Sequence, residues 1–262
     1  MLENNRQYGY LDSSNDDVVI KQHQGQVTAS GGIGILSIEN MSFPVLPGNV
    51  MNGYTYNYPI QIQFVKGLQN KELFEGRPEV YDRILDACQE LKKYGVRAIT
   101  GACGFFGNYQ DRLAKDMDIP VALSSLVQIP WIAAVIKPEE KIGVMTANAE
   151  ACTPQLLKAC GISDELMDRL VIEGLGHESQ FSAIIEDRGE FDNAVVKKEM
   201  ISKAEKLVTE HPDVGAILLE CTEMPPYSYL VQQVTQRPVY DYISMLNWLY
   251  SGVAQRPYYG FV

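Results

Sequence analysis

The chain has 262 residues, 46% of them hydrophobic and 21% charged, which is enough to bury one large core or two lobes of about 100 residues each. Its formal net charge of −11 and pI near 4.8 argue against nucleic acid or an anionic membrane as a partner, since both call for a basic face. No apolar run approaches the ~20 residues of a membrane span, and residues 1–30 lack the charged-then-apolar pattern of an export signal.

Residues 1–30 are polar around a Val18-Val19-Ile20 island and are read as a flexible or loosely docked arm. Order is expected from Gly31, where a glycine entry leads into the apolar run Ile33 to Ile38, a buried strand. A loop rich in Pro, Gly and Asn runs from Ser42 to Tyr58, and Pro59 to Val65 is a second strand. Pro78 to Tyr94 carries Val80, Ile84, Cys88 and Leu91 at helical spacing and stops at Gly95. A strand over 96–100, a helix near 107–117, a strand over 119–123 and a helix over 125–136 follow. At Lys141 the pattern restarts. Strand 142–146, a helix near 153–160 stopped by Gly161, strand 169–173, helices around 178–187 and 193–210, and a last helix from about 241 complete it.

Strands alternating with helices at this spacing predict an α/β protein with parallel sheets. Two similar lobes are expected, 31–140 and 141–240, with residues 241–262 returning to the first.

The string V-x-A-I-x-x-x-C-x16-P-V occurs twice, ending its apolar strands at Cys103 and Cys221. Such a repeat is recognised before any fold is assigned. In parallel α/β sheets ligands bind beyond the carboxyl ends of the strands, where both thiols are placed. A following helix would present N–H groups and its positive dipole end, favouring the thiolate, with Thr222 as a suitable N-cap. Gly104 leaves the backbone after Cys103 open to close approach.

A lone buried cysteine is ordinarily a small hydrophobe, and Cys88, Cys152 and Cys160 are read so. The five cysteines show no C-x-x-C or Cys/His zinc spacing, so free thiols in a reducing cytoplasm, and no metal, are expected. His23 lies in the arm, His211 suits a helix end, and His177 is an outside candidate in a Gly-rich turn. Gly31-Gly32-Ile33-Gly34 lacks the later glycine of a dinucleotide fingerprint, and no P-loop follows.

Cys221-Thr222-Glu223 after an apolar strand resembles the C-T-E segment of the aspartate/glutamate racemase superfamily, which includes hydantoin racemases and arylmalonate decarboxylases. The Pro47-Gly48-Asn49-Val50-Met51-Asn52 loop, Cys103-Gly104-Phe105 and Pro120-Val121 with Ser124-Ser125-Leu126 are similar to an incompletely characterised branch of it. The resemblance implies two Rossmann-like lobes related by a pseudo-two-fold axis, a site between them, and cofactor-independent chemistry with Cys103 and Cys221 as an acid–base pair. It places Asn52, Gly104, Phe105, Ser124, Thr146, Thr222 and Glu223 at the substrate. Amino-acid racemases typically have C-N-T at the first cysteine. Cys103-Gly104-Phe105 loses two polar contacts there, which disfavours aspartate or glutamate.

The leading expectation is therefore a racemase or epimerase, an isomerase acting beside a carboxylate or carbonyl. The alternatives are a lyase or cis–trans isomerase using one cysteine on the same scaffold, and a non-catalytic two-lobed binding protein. The expected partner is a small carboxylate or carbonyl compound. The aromatic tail Arg256 to Val262 could pack on a lobe or on a second subunit in a homodimer.

Overall fold

The computed structural model describes Val19, Gln22, residues 25–39 and residues 41–262. Most of the expected arm, His23 included, lies outside the described residues. Of its end, Val27 and Thr28 donate their N–H groups to the Lys93 carbonyl.

Among the described residues, eight strands form two four-stranded, all-parallel sheets. The first holds β1 (Ile33–Ile38), β2 (Ile60–Val65), β3 (Ala98–Gly101) and β4 (Val121–Ala122), in the order β2-β1-β3-β4. The second holds β5 (Lys141–Thr146), β6 (Leu170–Gly174), β7 (Val214–Leu219) and β8 (Val239–Tyr240), in the order β6-β5-β7-β8. One strand order thus occurs twice, and the protein is a two-lobed α/β fold. All six residues of β1 are buried, and β7 is buried at every position but Gly215, as covered parallel sheets require of their central strands.

The helices are α1 (Asn70–Phe74), α2 (Tyr81–Lys92), α3 (Gln110–Asp116), α4 (Ile129–Val135), α5 (Pro154–Ala159), α6 (Asp164–Met167), α7 (Phe181–Ile185), α8 (Asn193–Glu210), α9 (Ser228–Thr235) and α10 (Tyr242–Val253). The face of α2 formed by Tyr81, Ile84, Cys88 and Leu91 is buried, and Ile84 and Leu91 each contribute roughly 1.5–3 kcal/mol by leaving water. Gly95 and Gly161, with φ of 70° and 81°, follow α2 and α5 in the left-handed conformation that closes helices. The helices expected over 107–117 and 125–136 each open instead as a 3-10 segment, Gly104–Tyr109 and Ser125–Gln128. Helices α1 and α6 have five and four residues, too short for periodicity to reveal. No helix among the described residues is long and apolar enough to cross a membrane.

The repeat has a structural meaning. The Ile99 N–H donates to the Pro120 carbonyl, and Ile217 donates to Pro238 in the same way. One residue before each cysteine, Ala102 donates to Leu36 of β1 and Glu220 donates to Met145 of β5. Of the recurring letters, Ile and Pro are thus the residues whose main chains join each Cys-bearing strand to the strand that follows it. The lobes share an apolar core in which Phe105, Phe106 and Leu126 pack with Ile142, Leu156 and Leu218. Tyr242, Met245, Leu246 and Leu249 of α10 pack with Ile33, Ile35 and Ala98 of the first sheet.

Candidate active site

Both cysteines line one cavity of about 50 Å³ at the carboxyl ends of β3 and β7. Ala102, Gly104 and Phe105 come from the first lobe, and Glu220, Thr222 and Glu223 from the second. Phe74 joins them, its ring edge-on to that of Phe105 at 4.7 Å. The outer wall is a strap from the first lobe. Its Met41 and Phe43 line the cavity, and Phe43 and Leu46 pack on the second lobe's core. The Ser42 N–H donates to Asp187 Oδ1 (3.0 Å), and Gly189 donates back to the Ser42 carbonyl (2.7 Å).

The charge distribution is one-sided. Asp187, Glu220 and Glu223 line the cavity, and among the described residues no Lys, Arg or His does. The Cys221 thiol donates to Glu223 Oε2 at 2.9 Å, while Asn49 Nδ2 donates to Oε1 at 3.4 Å. The Thr222 hydroxyl lies 2.9 Å from both Glu223 oxygens and 3.1 Å from the Ala102 carbonyl. It has one hydrogen to give to these acceptors. Burial pushes Glu223 above the usual carboxylate range, against the hydrogen bonds from Cys221, Thr222 and Asn49.

Glu220 is wholly buried. Thr146 Oγ1 donates to its Oε2 at 2.7 Å, and Oε1 has no partner. Burial pushes its pKa up to about 7, Glu223 adds to that rise, and the Thr146 bond opposes it.

The expectation of ready-made thiolates is corrected here. Burial pushes both reactive thiols above their ordinary range. Glu220 and then Glu223 add to this at Cys103, partly offset by the Phe105 N–H, and Glu223 and then Glu220 do so at Cys221. The segments after the cysteines are 3-10 turns, Gly104–Tyr109 and Pro225–Tyr227, with poorer hydrogen-bond geometry than an α-helix. Nor does Thr222 cap one, because the second turn has Met224 at its N-cap. Cys88, Cys152 and Cys160 are buried away from the cavity lining, and burial raises the Cys88 thiol to about 12.

Of the residues expected at the substrate, Gly104, Phe105, Thr222 and Glu223 line the cavity with the two cysteines, and three others do not. Asn52 caps the Gly53–Thr55 turn and donates to the Val45 carbonyl. Ser124 is buried and caps the Ser125–Gln128 turn. Thr146 acts one step back, through Glu220. His177 is exposed and outside the lining. Sequence reasoning missed Glu220, Asn49, Asp187 and the strap. Only Glu220 left a local signal, an acidic residue closing the buried run Ile217-Leu218-Leu219.

No protein-family model matches the chain. A dimethylsulfoniopropionate lyase from Durusdinium sp. clade D is 33% identical over 222 residues, which cover 82% of this chain and 73% of that protein. Dimethylsulfoniopropionate lyase 7 of Emiliania huxleyi (strain CCMP1516) is 32% identical over 238 residues, covering 87% and 69%.

The chain belongs to the dimethylsulfoniopropionate lyase family.

Solved structures place the family's fold. Allantoin racemase from Pseudomonas fluorescens superposes with a TM-score of 0.56 at 15% identity, over 88% of this chain and all of that one. Unliganded arylmalonate decarboxylase superposes at 0.51 and 14% identity, over 88% and 97%. The fold is therefore that of the aspartate/glutamate racemases, whereas the sequence relatives are lyases. The expectation of an isomerase is overturned by those relatives, which favour the lyase alternative. The physical reason is that a fold does not determine the reaction, which depends on the side chains at the site and on the substrate.

Proposed function

We propose that the protein is a lyase that cleaves dimethylsulfoniopropionate or a near relative, a carboxylate bearing a sulfonium on its β-carbon. The observation that carries this reading is the composition of the cavity around the thiols. Among the described residues it offers three carboxyl groups, three aromatic rings and no basic side chain, a lining that suits a cation. Phe43, Phe74 and Phe105 present the aromatic surface that attracts a sulfonium, and Asp187 at the strap adds negative charge.

The step is a redox-neutral β-elimination. Cys221, giving its own proton to Glu223, removes the proton from the carbon beside the carboxylate. The electron pair of that C–H bond becomes the new carbon–carbon double bond. The β-carbon–sulfur bond breaks with its electrons on sulfur, releasing neutral dimethyl sulfide and acrylate. A nucleophile paired with a base within hydrogen-bond reach is the usual way to activate a thiol of raised pKa. One proton acceptor suffices, so Cys221, the thiol bonded to Glu223, is assigned as the base. Cys103 then belongs to the opposite wall.

The deciding experiment incubates fully reduced protein with dimethylsulfoniopropionate between pH 6 and 10. Dimethyl sulfide in the headspace and acrylate by NMR, in equal amounts, are expected. Absence of both products across that range sinks the proposal.

A further inference from the structure

Glu220 is a carboxyl group that the strand-to-cysteine architecture does not need. Its counterpart in the first repeat is Ala102, which makes the same main-chain bond to the neighbouring strand. Among the described residues, Oε1 of Glu220 is the one buried side-chain oxygen or nitrogen without a hydrogen-bond partner. Such a group is costly to retain unless something completes it. Its sister oxygen is already held by Thr146 at 2.7 Å. Oε1 sits over Gly104 so closely that a Cβ on that residue would lie 1.5 Å away, and both residues line the cavity beside the thiols.

A substrate carboxylate arriving here meets no Lys, Arg or His among the described residues, yet removing the neighbouring proton increases its negative charge. Donors aimed at those oxygens are what such chemistry requires, each worth about 10²–10³-fold in kcat.

We propose that Oε1 of Glu220 carries a proton and donates a hydrogen bond to the carboxylate of the bound substrate. This rests on the reading of the cavity as a carboxylate site. The surroundings of Glu220 favour the neutral acid. The titratable groups facing it are Cys103 beyond β3, Cys152 and Cys160 at the two ends of α5, Tyr242 on α10, and Cys221 and Glu223 on its own loop. All are neutral or negative, so none stabilises an anion. Burial in such company holds the free group near pH 7, and an arriving carboxylate raises it further.

The test uses propionate, which has no leaving group. Its binding is measured by calorimetry in two buffers of different ionisation enthalpy. At pH 8 the wild type should take up about 0.9 proton, and at pH 6 about 0.1, as follows from a free pKa of about 7. Glu220→Gln, whose amide keeps a donor, should bind propionate with no uptake at either pH. Equal uptake by the variant, proton release by the wild type, or no propionate binding by the wild type would each overturn the proposal. Release in particular would make Glu220 an anion facing the substrate's cation. If Glu220→Gln fails to fold, infrared difference spectra of the wild type at pH 8 decide. A protonated-carboxyl band gained on binding supports the assignment, and its absence overturns it. Because propionate is not turned over, uptake without sulfide release from the natural substrate would leave Glu220's role intact and remove the lyase reading. Sulfide release without uptake would do the reverse.

Discussion

The Cys221 thiol and the Glu223 carboxylate, two residues apart, face one another at 2.9 Å with the thiol as donor. A carboxylate placed to receive the thiol's proton separates the two cysteines functionally, because Cys103 has no such partner and meets the Phe105 N–H instead.

That asymmetry predicts unequal mutants. Cys221→Ser should lose roughly 10²–10⁴-fold in kcat, the span of a general base, whereas Cys103→Ser should retain clearly more activity. Sulfide release under saturating substrate measures both. Equal losses would return the chemistry to a two-thiol scheme.

Glu223→Gln removes the carboxylate that takes the proton and should lower kcat by about 10²-fold or more. Its effect on the thiol runs the other way. Burial is the first cause of the raised Cys221 pKa and the Glu223 charge the second. Removing that charge therefore lowers the thiol's pKa, and alkylation of the Cys221 peptide should set in at lower pH than in the wild type. Mass spectrometry across a pH series with iodoacetamide follows this directly.

At Gly104 any side chain meets Glu220. A Cβ would lie 1.5 Å from Oε1, 2.4 Å from Cδ and 2.9 Å from the Glu220 carbonyl oxygen. Gly104→Ala should cost about 1–3 kcal/mol, as overpacking does, and chemical denaturation reads it. Part of that cost should vanish in the double variant with Glu220→Ala, since residues in contact couple. The main-chain oxygen keeps the relief incomplete.

Asp187 stands at φ 54°, a conformation that Asn tolerates well, and its side chain accepts from Ser42 at 3.0 Å. Asp187→Asn keeps the acceptor and the backbone while removing the charge. Stability should stay within about 0.5 kcal/mol of the wild type, while KM for the sulfonium substrate rises several-fold with kcat little changed. Unchanged KM would remove Asp187 from cation recognition.

Glu220 also makes stability depend on pH. Its pKa rises from 4.5 to about 7 on folding. Between those values the unfolded chain has lost the proton and the folded chain keeps it, so stability falls as pH rises through that window. The full effect is roughly 3 kcal/mol. Relative to Glu220→Gln, the wild type should therefore lose stability from pH 4.5 to 7 in urea unfolding, with no further divergence above about pH 8.

Much of the fold was legible because its determinants are local. Apolar runs such as Gly34-Ile35-Leu36 and Ile217-Leu218-Leu219 have the composition that a strand covered on both faces requires. The duplicated V-x-A-I and P-V letters were readable as a repeat, and in both copies the Ile N–H bonds the Pro carbonyl. The 3-10 openings after Cys103 and before α4 were not legible, since residues that suit the first turn of a helix also suit a 3-10 turn. Asn52 misled for a related reason, since it lies in the loop that carries Asn49 and its role was settled by a turn it caps.

By itself the sequence determined that two thiols occupy equivalent strand ends in two α/β lobes, because strand pattern and repeat are properties of neighbouring residues. Only the tertiary structure decided what surrounds those thiols. Glu220 over Gly104, Glu223 held by Asn49, and the Met41 to Asn49 strap reaching Asp187 all join segments distant in the chain. Burial and like charge, which raise both thiols and Glu220, exist only once those segments pack together.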